Sequence, residues 1–440
     1  MSMHKEADGN ALQAASYGGY QGIVKLLIDR GADVNAQGGI YGNALQAASY
    51  QGQQEFAMLM IGKVADVTAQ GGFYGSGLAA VSDNGHGEIV KLLIDKGADV
   101  NTQGGFYGNG LQAASYNGHQ QIVKLLIDKG ADVNAQGGFY GSALQASSCK
   151  GHQEIVKFLI EKGADVNVQG GFYGNTLQAA SYGGHQEIVK LLIDEKADVN
   201  AQGGEYGNAL QAASYQGHQE IVMLLIDKGP DVNAQGGRYG NALQATSYNG
   251  HQQIVKLLID KGADVNAQER KFGSALQAAS WKGDQEIVKL LIGKGADVNA
   301  HGGYYGNALQ AASYTGHQEI VKLLIDKGAD VNVQGGFYGN GLQAASCNGH
   351  QDIVKLLIDK GADVNAQGGF YGYALQAASY SGHQEIVKLL ISKGGDVNAQ
   401  GGIYGKALQA ASEHGNQHIV NLLMKHGAEL DALTAVSSNA

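Results

Sequence analysis

One spacing governs this sequence: a leucine-containing motif returns every 33 residues, without a single insertion. The leucine stands at Leu12, Leu45, Leu78, Leu111, Leu144, Leu177, Leu210, Leu243, Leu276, Leu309, Leu342, Leu375 and Leu408. A fixed period of this length is the signature of a repeat protein, in which each copy is one small supersecondary unit. We therefore predict thirteen units from about residue 8 to residue 436. We expect residues 1–440 to form a single domain whose first and last units act as caps.

Each unit reads as two short helices followed by a glycine-rich loop, as in residues 107–139. Asn109 and Gln112 have the spacing of a helix N-cap motif, and Gly118 is typical of the end of that helix. Apolar residues at helical spacing then predict a second helix, and the following ADVNAQGG predicts an extended finger loop. Because two small helices and a loop cannot bury their own apolar face, neighbouring units must stack. The predicted fold is an all-α repeat solenoid of stacked helix-turn-helix units with extended finger loops.

Charge, hydropathy and cysteine content indicate which classes of partner and which compartment are expected. The net charge is −10 and no lysine- or arginine-rich block is present, which argues against a nucleic-acid partner. The apolar runs are too short to span a membrane, and residues 1–8 are polar, unlike a secretory signal. Cys149 and Cys347 occupy the same slot six units apart, and at about 10 Å per unit they are too distant to form a disulfide. We expect free thiols and a cytoplasmic protein that binds neither nucleic acid nor membranes.

These motifs resemble ankyrin repeats over essentially the whole chain. The resemblance lies in the 33-residue period, the paired alanines of the first helix and the GHQEIVKLLIDKGADVNAQ consensus. The usual Thr-Pro-Leu-His of that family is replaced by Asn-Ala-Leu-Gln, as at residues 43–46, so we expect the cap to survive and a Thr–His hydrogen bond to be lost. The QGGFYGNALQAAS version is similar to arrays common in fungal proteins. The resemblance implies L-shaped repeats whose fingers and first helices line a concave, partner-binding groove.

Residues that recur in nearly every unit are interpreted as scaffold. Histidine stands at the start of the second helix in nine units, from His86 to His383, and we predict that it hydrogen-bonds to a neighbouring unit rather than serving a metal or catalysis. The GGFYGN loop resembles a phosphate cradle, but its recurrence favours turn geometry. One slot holds tyrosine in eleven units, beginning with Tyr41, and predicts a ladder of rings packing finger on finger.

Two further aromatic slots face the groove if the resemblance holds. The first, the tip slot, holds Phe73, Phe106, Phe139, Phe172, Phe337 and Phe370. The second, the groove slot at the end of the first helix, holds Tyr17, Tyr50, Tyr116, Tyr182, Tyr215, Tyr248, Tyr314 and Tyr380. Such rows are either a protein-contact surface or ring stacks between adjacent units, and the sequence leaves both interpretations open.

Departures from the consensus cluster between residues 205 and 301. The tip slot changes to Glu205, Arg238 and Lys271 in successive units, which predicts a mixed-charge row of about 20 Å. Trp281 replaces a groove tyrosine nearby, and Trp and Arg are typical of interface hot spots. Drift in a surface loop is the alternative explanation. The candidate binding residues are Glu205, Tyr215, Arg238, Tyr248, Glu269, Arg270, Lys271, Phe272, Trp281, Lys282, Asp284, His301, Tyr304 and Tyr314.

We predict a protein-binding scaffold or adaptor whose site is centred on residues 205–301. It is expected to be a monomeric array or a fragment of a larger multidomain protein. The alternative is an enzyme or small-molecule-binding protein, for example a biosynthetic one, that uses Glu205, Asp284 and His301 in the same groove as acids or bases. A third alternative is a spacer with no dedicated site. No catalytic motif, metal-ligand cluster or cofactor motif is recognisable, so the sequence predicts neither a metal nor a cofactor.

Overall fold

The computed structural model describes residues 9–271 and 273–429. The chain divides after Asp231 into two compact halves, here called the N-terminal half, up to Asp231, and the C-terminal half, from Val232 onward. Over the described residues the chain forms 26 helices, and each successive pair falls within one 33-residue repeat. The predicted stack of helix-turn-helix units is therefore confirmed within each half.

The helices of the N-terminal half alternate between the first and second helix of a repeat. The first helices are α1 (Ala11–Tyr17), α3 (Ala44–Tyr50), α5 (Gly77–Asn84), α7 (Gly110–Asn117), α9 (Ala143–Lys150), α11 (Thr176–Gly183) and α13 (Ala209–Gln216). The second helices are α2 (Gln21–Asp29), α4 (Gln54–Gly62), α6 (Gly87–Asp95), α8 (Gln120–Asp128), α10 (Gln153–Glu161), α12 (Gln186–Asp194) and α14 (Gln219–Ile226).

The C-terminal half follows the same alternation. Its first helices are α15 (Ala242–Asn249), α17 (Ala275–Lys282), α19 (Ala308–Thr315), α21 (Gly341–Asn348), α23 (Ala374–Ser381) and α25 (Ala407–Glu413). Its second helices are α16 (Gln252–Asp260), α18 (Gln285–Gly293), α20 (Gln318–Asp326), α22 (Gln351–Asp359), α24 (Gln384–Ser392) and α26 (Gln417–Lys425). Among the described residues no helix combines the length and the apolar character needed to cross a membrane.

The first helix begins at the predicted cap. In α11, Asn175 Oδ1 accepts a hydrogen bond from Gln178 N at 2.8 Å, and Gln178 Oε1 accepts one from Asn175 N at 2.6 Å. The helix ends at Gly184, whose φ of 81° is left-handed and favours glycine. Tyr373, which stands where most repeats have asparagine or serine, makes no side-chain cap. The short first helix is thus specified locally, by its two ends.

The same glutamine ties the helix to the following finger. Gln178 Nε2 donates to Gly207 O at 2.6 Å and to Ala201 O at 3.1 Å. Gly207 O also accepts from Gly203 N at 2.7 Å, so the glutamine adds to the backbone hydrogen bonds of the finger loop. The glutamine thereby makes hydrogen bonds of its own in place of the Thr–His bond whose loss the sequence suggested.

Second helices supply the apolar core and the outer joints of the stack. In α12, Ile188, Val189 and Leu192 are at most 2% exposed, and complete burial of each such side chain contributes about 1.5–3 kcal/mol. Beyond the helix, Asn101 Nδ2 donates to Gly130 O at 3.1 Å, and its Oδ1 accepts from Asp132 N at 2.7 Å. Equivalent asparagines join other neighbouring repeats, so the ADVN motif is a structural joint.

The finger loops are narrow hairpins. One contains a regular antiparallel pair, β1 (Gln70–Gly71) and β2 (Gly75–Ser76), and ten others close with a single bridge. Adjacent tips are hydrogen-bonded, as where Phe139 N donates to Phe106 O at 2.6 Å. Gly138 makes this approach possible: its φ is 62°, and a Cβ there would lie 2.2 Å from the carbonyl carbon of Tyr107.

Finger tips lie closer together than packed helices do. Tip rings in both halves are 4.6–5.1 Å apart, whereas helix axes pack about 8–10 Å apart. Each half therefore curves toward its fingers, and the fingers and first helices line the concave side. This surface is called the groove below.

Candidate functional site

The recurring histidines are structural, as predicted. The ring Nε2 lies 2.8–3.2 Å from a main-chain carbonyl oxygen at the end of the preceding repeat's first helix. This contact is made by His119, His152, His185, His218, His317, His350 and His383. Burial lowers the pKa of His185, because the charged imidazolium is less well solvated there. The row of histidines therefore links each repeat to the preceding one.

The tyrosine ladder predicted from the eleven-fold slot is also present. Successive rings lie 6.1–6.5 Å apart and are nearly parallel, from Tyr41 to Tyr206 in one half and from Tyr305 to Tyr371 in the other. Most members are buried; Tyr140, for example, is 6% exposed. Burial raises the pKa of Tyr140 far above its ordinary range, so the phenol stays neutral. The ladder is a packing element of the groove floor.

Groove tyrosines pack on this ladder and keep part of their surface in solvent. The ring of Tyr116 lies 5.6 Å from Tyr107 and 4.2 Å from Tyr140, and Tyr116 is half-buried. In the tip slot, Phe106 stacks on Phe139 at 5.1 Å. Of the two interpretations left open by the sequence, ring stacking between repeats is therefore observed. The exposed parts of the same rings remain available for contact.

Both cysteines are free and buried, which confirms the predicted thiols. Burial raises the pKa of the Cys149 thiol, with Tyr173 and Lys150 acting in the opposite direction. A thiol in this state is a poor nucleophile. Cys149 therefore does not offer an activated sulfur for chemistry.

The charged tip residues of the C-terminal half are exposed. The guanidinium carbon of Arg238 lies 5.8 Å from the centre of the Tyr239 ring. Lys271 N donates to Glu269 Oε1 at 2.6 Å, and Lys271 O accepts from Tyr304 N at 2.8 Å. The substituted finger thus keeps its backbone link to the next tip while it presents a lysine instead of a phenylalanine.

Trp281 is integrated into the aromatic groove rather than projecting from it. Its ring stacks on Tyr248 at 4.8 Å with an interplanar angle of 11°, and lies 6.4 Å from Tyr305. Further along the same half, Tyr304 stacks on Phe337 at 5.0 Å. Trp281 is half-buried, so one part of the indole packs and another part faces solvent.

The remaining candidate residues occupy three different environments. Asp284 is a helix cap, since its Oδ1 accepts from Glu286 N at 3.1 Å and from Ile287 N at 3.0 Å. Residues on the solvent-exposed surface are Arg270, Lys282 and His301. The groove tyrosine Tyr314 packs on Tyr338 at 4.5 Å, and Phe272 lies outside the described residues.

Two candidate residues belong to the N-terminal half. Glu205 N donates to Phe172 O at 2.9 Å, which continues the row of tip hydrogen bonds. Tyr215 is half-buried, with its ring 5.1 Å from Tyr206. The stretch from 205 to 301 is therefore shared between two separately described halves.

Two groove positions of the N-terminal half were missed by the sequence reading. Asp83 takes the groove slot of the third repeat, and Lys150 directly follows Cys149, which takes it in the fifth. Lys150 Nζ lies 4.6 Å from the centre of the Tyr116 ring. Both residues depart from the repeat consensus, as the candidate residues between 205 and 301 do. Each departure stands alone, however, rather than in a cluster.

Within the described ranges no group of three or more His, Cys, Asp or Glu side chains is arranged to hold a metal ion. What the groove presents is a row of partly exposed rings, with charged side chains at a few repeats. Such a surface combines apolar area with hydrogen-bonding phenols, which is typical of protein contacts.

Comparison with family models identifies ankyrin repeats along the chain. The model described as ankyrin repeats (3 copies) matches residues 78–170, 176–269, 220–302, 243–335, 275–368 and 342–434, and the single ankyrin-repeat model matches residues 10–39. A search of curated proteins finds no significant match.

Proposed function

The chain belongs to the ankyrin-repeat family, and from that premise we propose that it is a protein-binding scaffold whose partner lies in the groove. Ankyrin repeats generally act as protein-interaction modules. The observation that supports this function most directly is the row of half-buried tyrosines along the groove. Their rings are held in place by the ladder beneath them, so little side-chain entropy is lost when a partner covers them.

Recognition is proposed to centre on the substituted repeats between residues 205 and 301. In the C-terminal half, the exposed cations of Arg238 and Lys271 stand in the tip slot, and Trp281 stands in the groove slot. Arg and Trp dominate the energetics of many protein interfaces. A partner surface that pairs acidic side chains with an apolar patch suits this combination.

The test compares two variants of the full chain. Replacing Arg238, Lys271 and Trp281 together by alanine is expected to lower the affinity for the natural partner about a hundredfold or more, since each is a proposed hot spot. The control replaces Lys256 and Lys355 by alanine, which removes the same number of positive charges from exposed sites on second helices. The control should bind like the wild type.

Partners are first identified as proteins captured by the wild-type array and lost with the triple variant. Binding is then titrated through the fluorescence of Trp281, the single tryptophan of the chain. Full affinity in the triple variant would show that the substituted repeats are not the site. Glu205, in the N-terminal half, is tested by its own alanine variant.

A further inference from the structure

The row of groove tyrosines in the N-terminal half is interrupted at Asp83. This slot holds tyrosine in eight of the thirteen repeats. The tyrosine normally packs between two ladder rings; Tyr50, for example, lies 5.4 Å from Tyr41 and 4.8 Å from Tyr74. In the third repeat the corresponding slot, beside Tyr74 and Tyr107, carries a carboxylate instead of a ring.

The ladder tyrosine that follows Asp83 is more exposed than its two ladder neighbours. Tyr107 is half-buried, whereas Tyr74 and Tyr140 on either side of it are 7% and 6% exposed. The rings of Tyr74 and Tyr107 keep the usual ladder separation of 6.3 Å, so neither ring has moved into the vacated space. We call this place in the groove, where an aspartate stands between phenol rings instead of a tyrosine, the opening at Asp83.

The basic group that acts on the carboxylate of Asp83 is the imidazole of His119. Asp83 Oδ1 accepts a hydrogen bond from Asn117 Nδ2 at 2.6 Å. The groups that act on its charge are the phenol of Tyr107, the amide of Asn117 and the imidazole of His119. Burial raises the pKa of the Asp83 carboxyl, and the hydrogen bonds from Tyr107 and Asn117 offset that effect only in part. A partly buried carboxylate of this kind gains free energy when a cation reaches it.

The rings of this row already attract a cation elsewhere in the same half. Lys150 Nζ lies 4.6 Å from the centre of the Tyr116 ring. A hydrogen bond with Tyr116 raises the pKa of Lys150, which favours its charged form. The groove is thus suited to ammonium or guanidinium groups by the electron-rich faces of its tyrosines.

We propose that the opening at Asp83 binds a lysine or arginine side chain of a partner polypeptide, an inference that rests on the protein-binding function proposed above. The cation pairs with the Asp83 carboxylate and contacts the exposed part of Tyr107. Both interactions gain strength from the partial exclusion of water.

The spacing of the repeats indicates how the partner chain runs. Ladder rings of successive repeats lie 6.1–6.5 Å apart. Side chains on one face of an extended strand recur about every 6.6–6.8 Å, which nearly matches that spacing. A polyproline helix repeats its face only every 9.3 Å or so, and does not match. An extended segment therefore places alternate residues on successive repeats, with the basic residue at Asp83 and apolar residues against Tyr50 and Tyr116.

The corresponding motif is apolar-x-(Lys or Arg)-x-apolar. The probe is a fluorescently labelled peptide, Leu-Ser-Arg-Ser-Leu between neutral linkers, titrated with the full chain and followed by fluorescence anisotropy. Replacing the central arginine by citrulline keeps its shape and removes its charge. We expect citrulline to weaken binding about tenfold, the effect of losing about 1.4 kcal/mol.

Three variants test whether the preference for the arginine peptide depends on Asp83. Asp83→Asn removes the negative charge and should reduce the preference for the arginine peptide over the citrulline peptide. Asp83→Tyr restores the residue found in eight repeats, closes the opening and should weaken both peptides. Cys347→Tyr is the matched control, because it introduces the same residue in the same slot of the C-terminal half and should leave binding unchanged. Circular dichroism confirms that each variant is folded.

Equal binding of the arginine and citrulline peptides to the wild type would overturn this proposal. So would displacement of the peptide by spermidine at equal concentration, which would assign the opening to free amines. In both cases capture of a protein partner through Arg238, Lys271 and Trp281 leaves the scaffold function standing. Failure of the proposed scaffold function gives a different result, because the wild-type array then captures no protein partner.

Discussion

The two halves of the molecule share one repeat but present different grooves. In the N-terminal half the tip slot carries an unbroken stack, Phe73, Phe106, Phe139 and Phe172, and its irregularity is the acidic opening at Asp83. The C-terminal half begins with the exposed cations Arg238 and Lys271, and the aromatic tips resume only afterwards.

The backbone hydrogen bond to the next tip is kept at Lys271. Tyr304 N still donates to Lys271 O, just as Phe106 N donates to Phe73 O. Because the tip hydrogen bond involves only main-chain atoms, it forms whether the slot holds a phenylalanine, a tyrosine or a lysine. The comparison teaches that recognition chemistry in such an array is set by single substitutions on an unchanged scaffold. It also predicts opposite charge preferences, basic ligands for one half and acidic ligands for the other.

The largest expected effect tests whether the scaffold is the same in both halves. Gly138 and Gly336 both have left-handed φ, and a Cβ on either would fall within 2.5 Å of the neighbouring finger's backbone. We expect Gly138→Ala and Gly336→Ala each to cost about 3 kcal/mol, from the strained φ and the overlap. Gly130→Ala is the control, since its φ is 90° but no atom lies within 4 Å of the added Cβ.

Urea denaturation of the three glycine variants measures the costs. Gly130→Ala should lose only the conformational part, about 1–2 kcal/mol. Markedly different costs for Gly138→Ala and Gly336→Ala would mean that the two halves do not share the same finger packing.

A smaller effect concerns the outer ends of the two halves. In α2, Ile23 is 49% exposed and Leu27 is half-buried, whereas the equivalent Ile419 and Leu423 of α26 are at most 2% exposed. We expect amides of residues 9–65 to exchange about tenfold faster than those of residues 140–305, because less apolar contact opposes local opening. Hydrogen exchange followed by mass spectrometry measures this, and uniform protection would contradict it.

The smallest effect concerns the histidine row. Burial lowers the pKa of His185 below its ordinary value of 6.5, so the unfolded chain takes up a proton before the folded chain does. The contribution of His185 to stability is therefore complete above pH 6.5 and decreases as the pH falls from there toward the lowered folded value.

The variant His185→Asn removes this titration and keeps a donor for the carbonyl of Cys149. The chain already uses asparagine in this way, since Asn416 Nδ2 donates to Tyr380 O at 2.9 Å. We expect the variant and the wild type to have similar denaturation midpoints at pH 8, and the variant to lose less stability between pH 7 and pH 5. Identical pH profiles would mean that the imidazole does not titrate differently in the folded chain.

Much of the fold follows from local sequence signals. The cap at Asn109, the end of the first helix at Gly118 and the apolar spacing of the second helix all lie where the sequence predicts them. The finger bonds of Gln178 and the backbone hydrogen bonds between tips were not predicted, because both depend on distances between repeats. A period in the sequence gives the order of the repeats but not their separation.

The candidate site was likewise predictable from the sequence only in part. Arg238 and Lys271 were found from a cluster of departures, and the structure leaves both exposed. Asp284 belonged to the same cluster, yet its side chain caps α18. Asp83 was overlooked, because a single polar replacement cannot be told from drift until its burial and the exposure of Tyr107 are known. Whether a departure from the repeat consensus contributes to a site depends on the residues that surround it in the structure.

The hydrogen bonds between repeats also have a mechanical consequence. A junction such as that between the third and fourth repeats is held by a tip bond, a histidine bond at the start of the second helix, and an asparagine pair at the outer loop. When a half is pulled from its ends, the hydrogen bonds of one junction resist the force together. Every junction along the half experiences the same force. A stretched half therefore yields repeat by repeat, each step freeing about 110 Å of chain. Such an array behaves as a chain of near-identical links, extensible in steps and able to recoil.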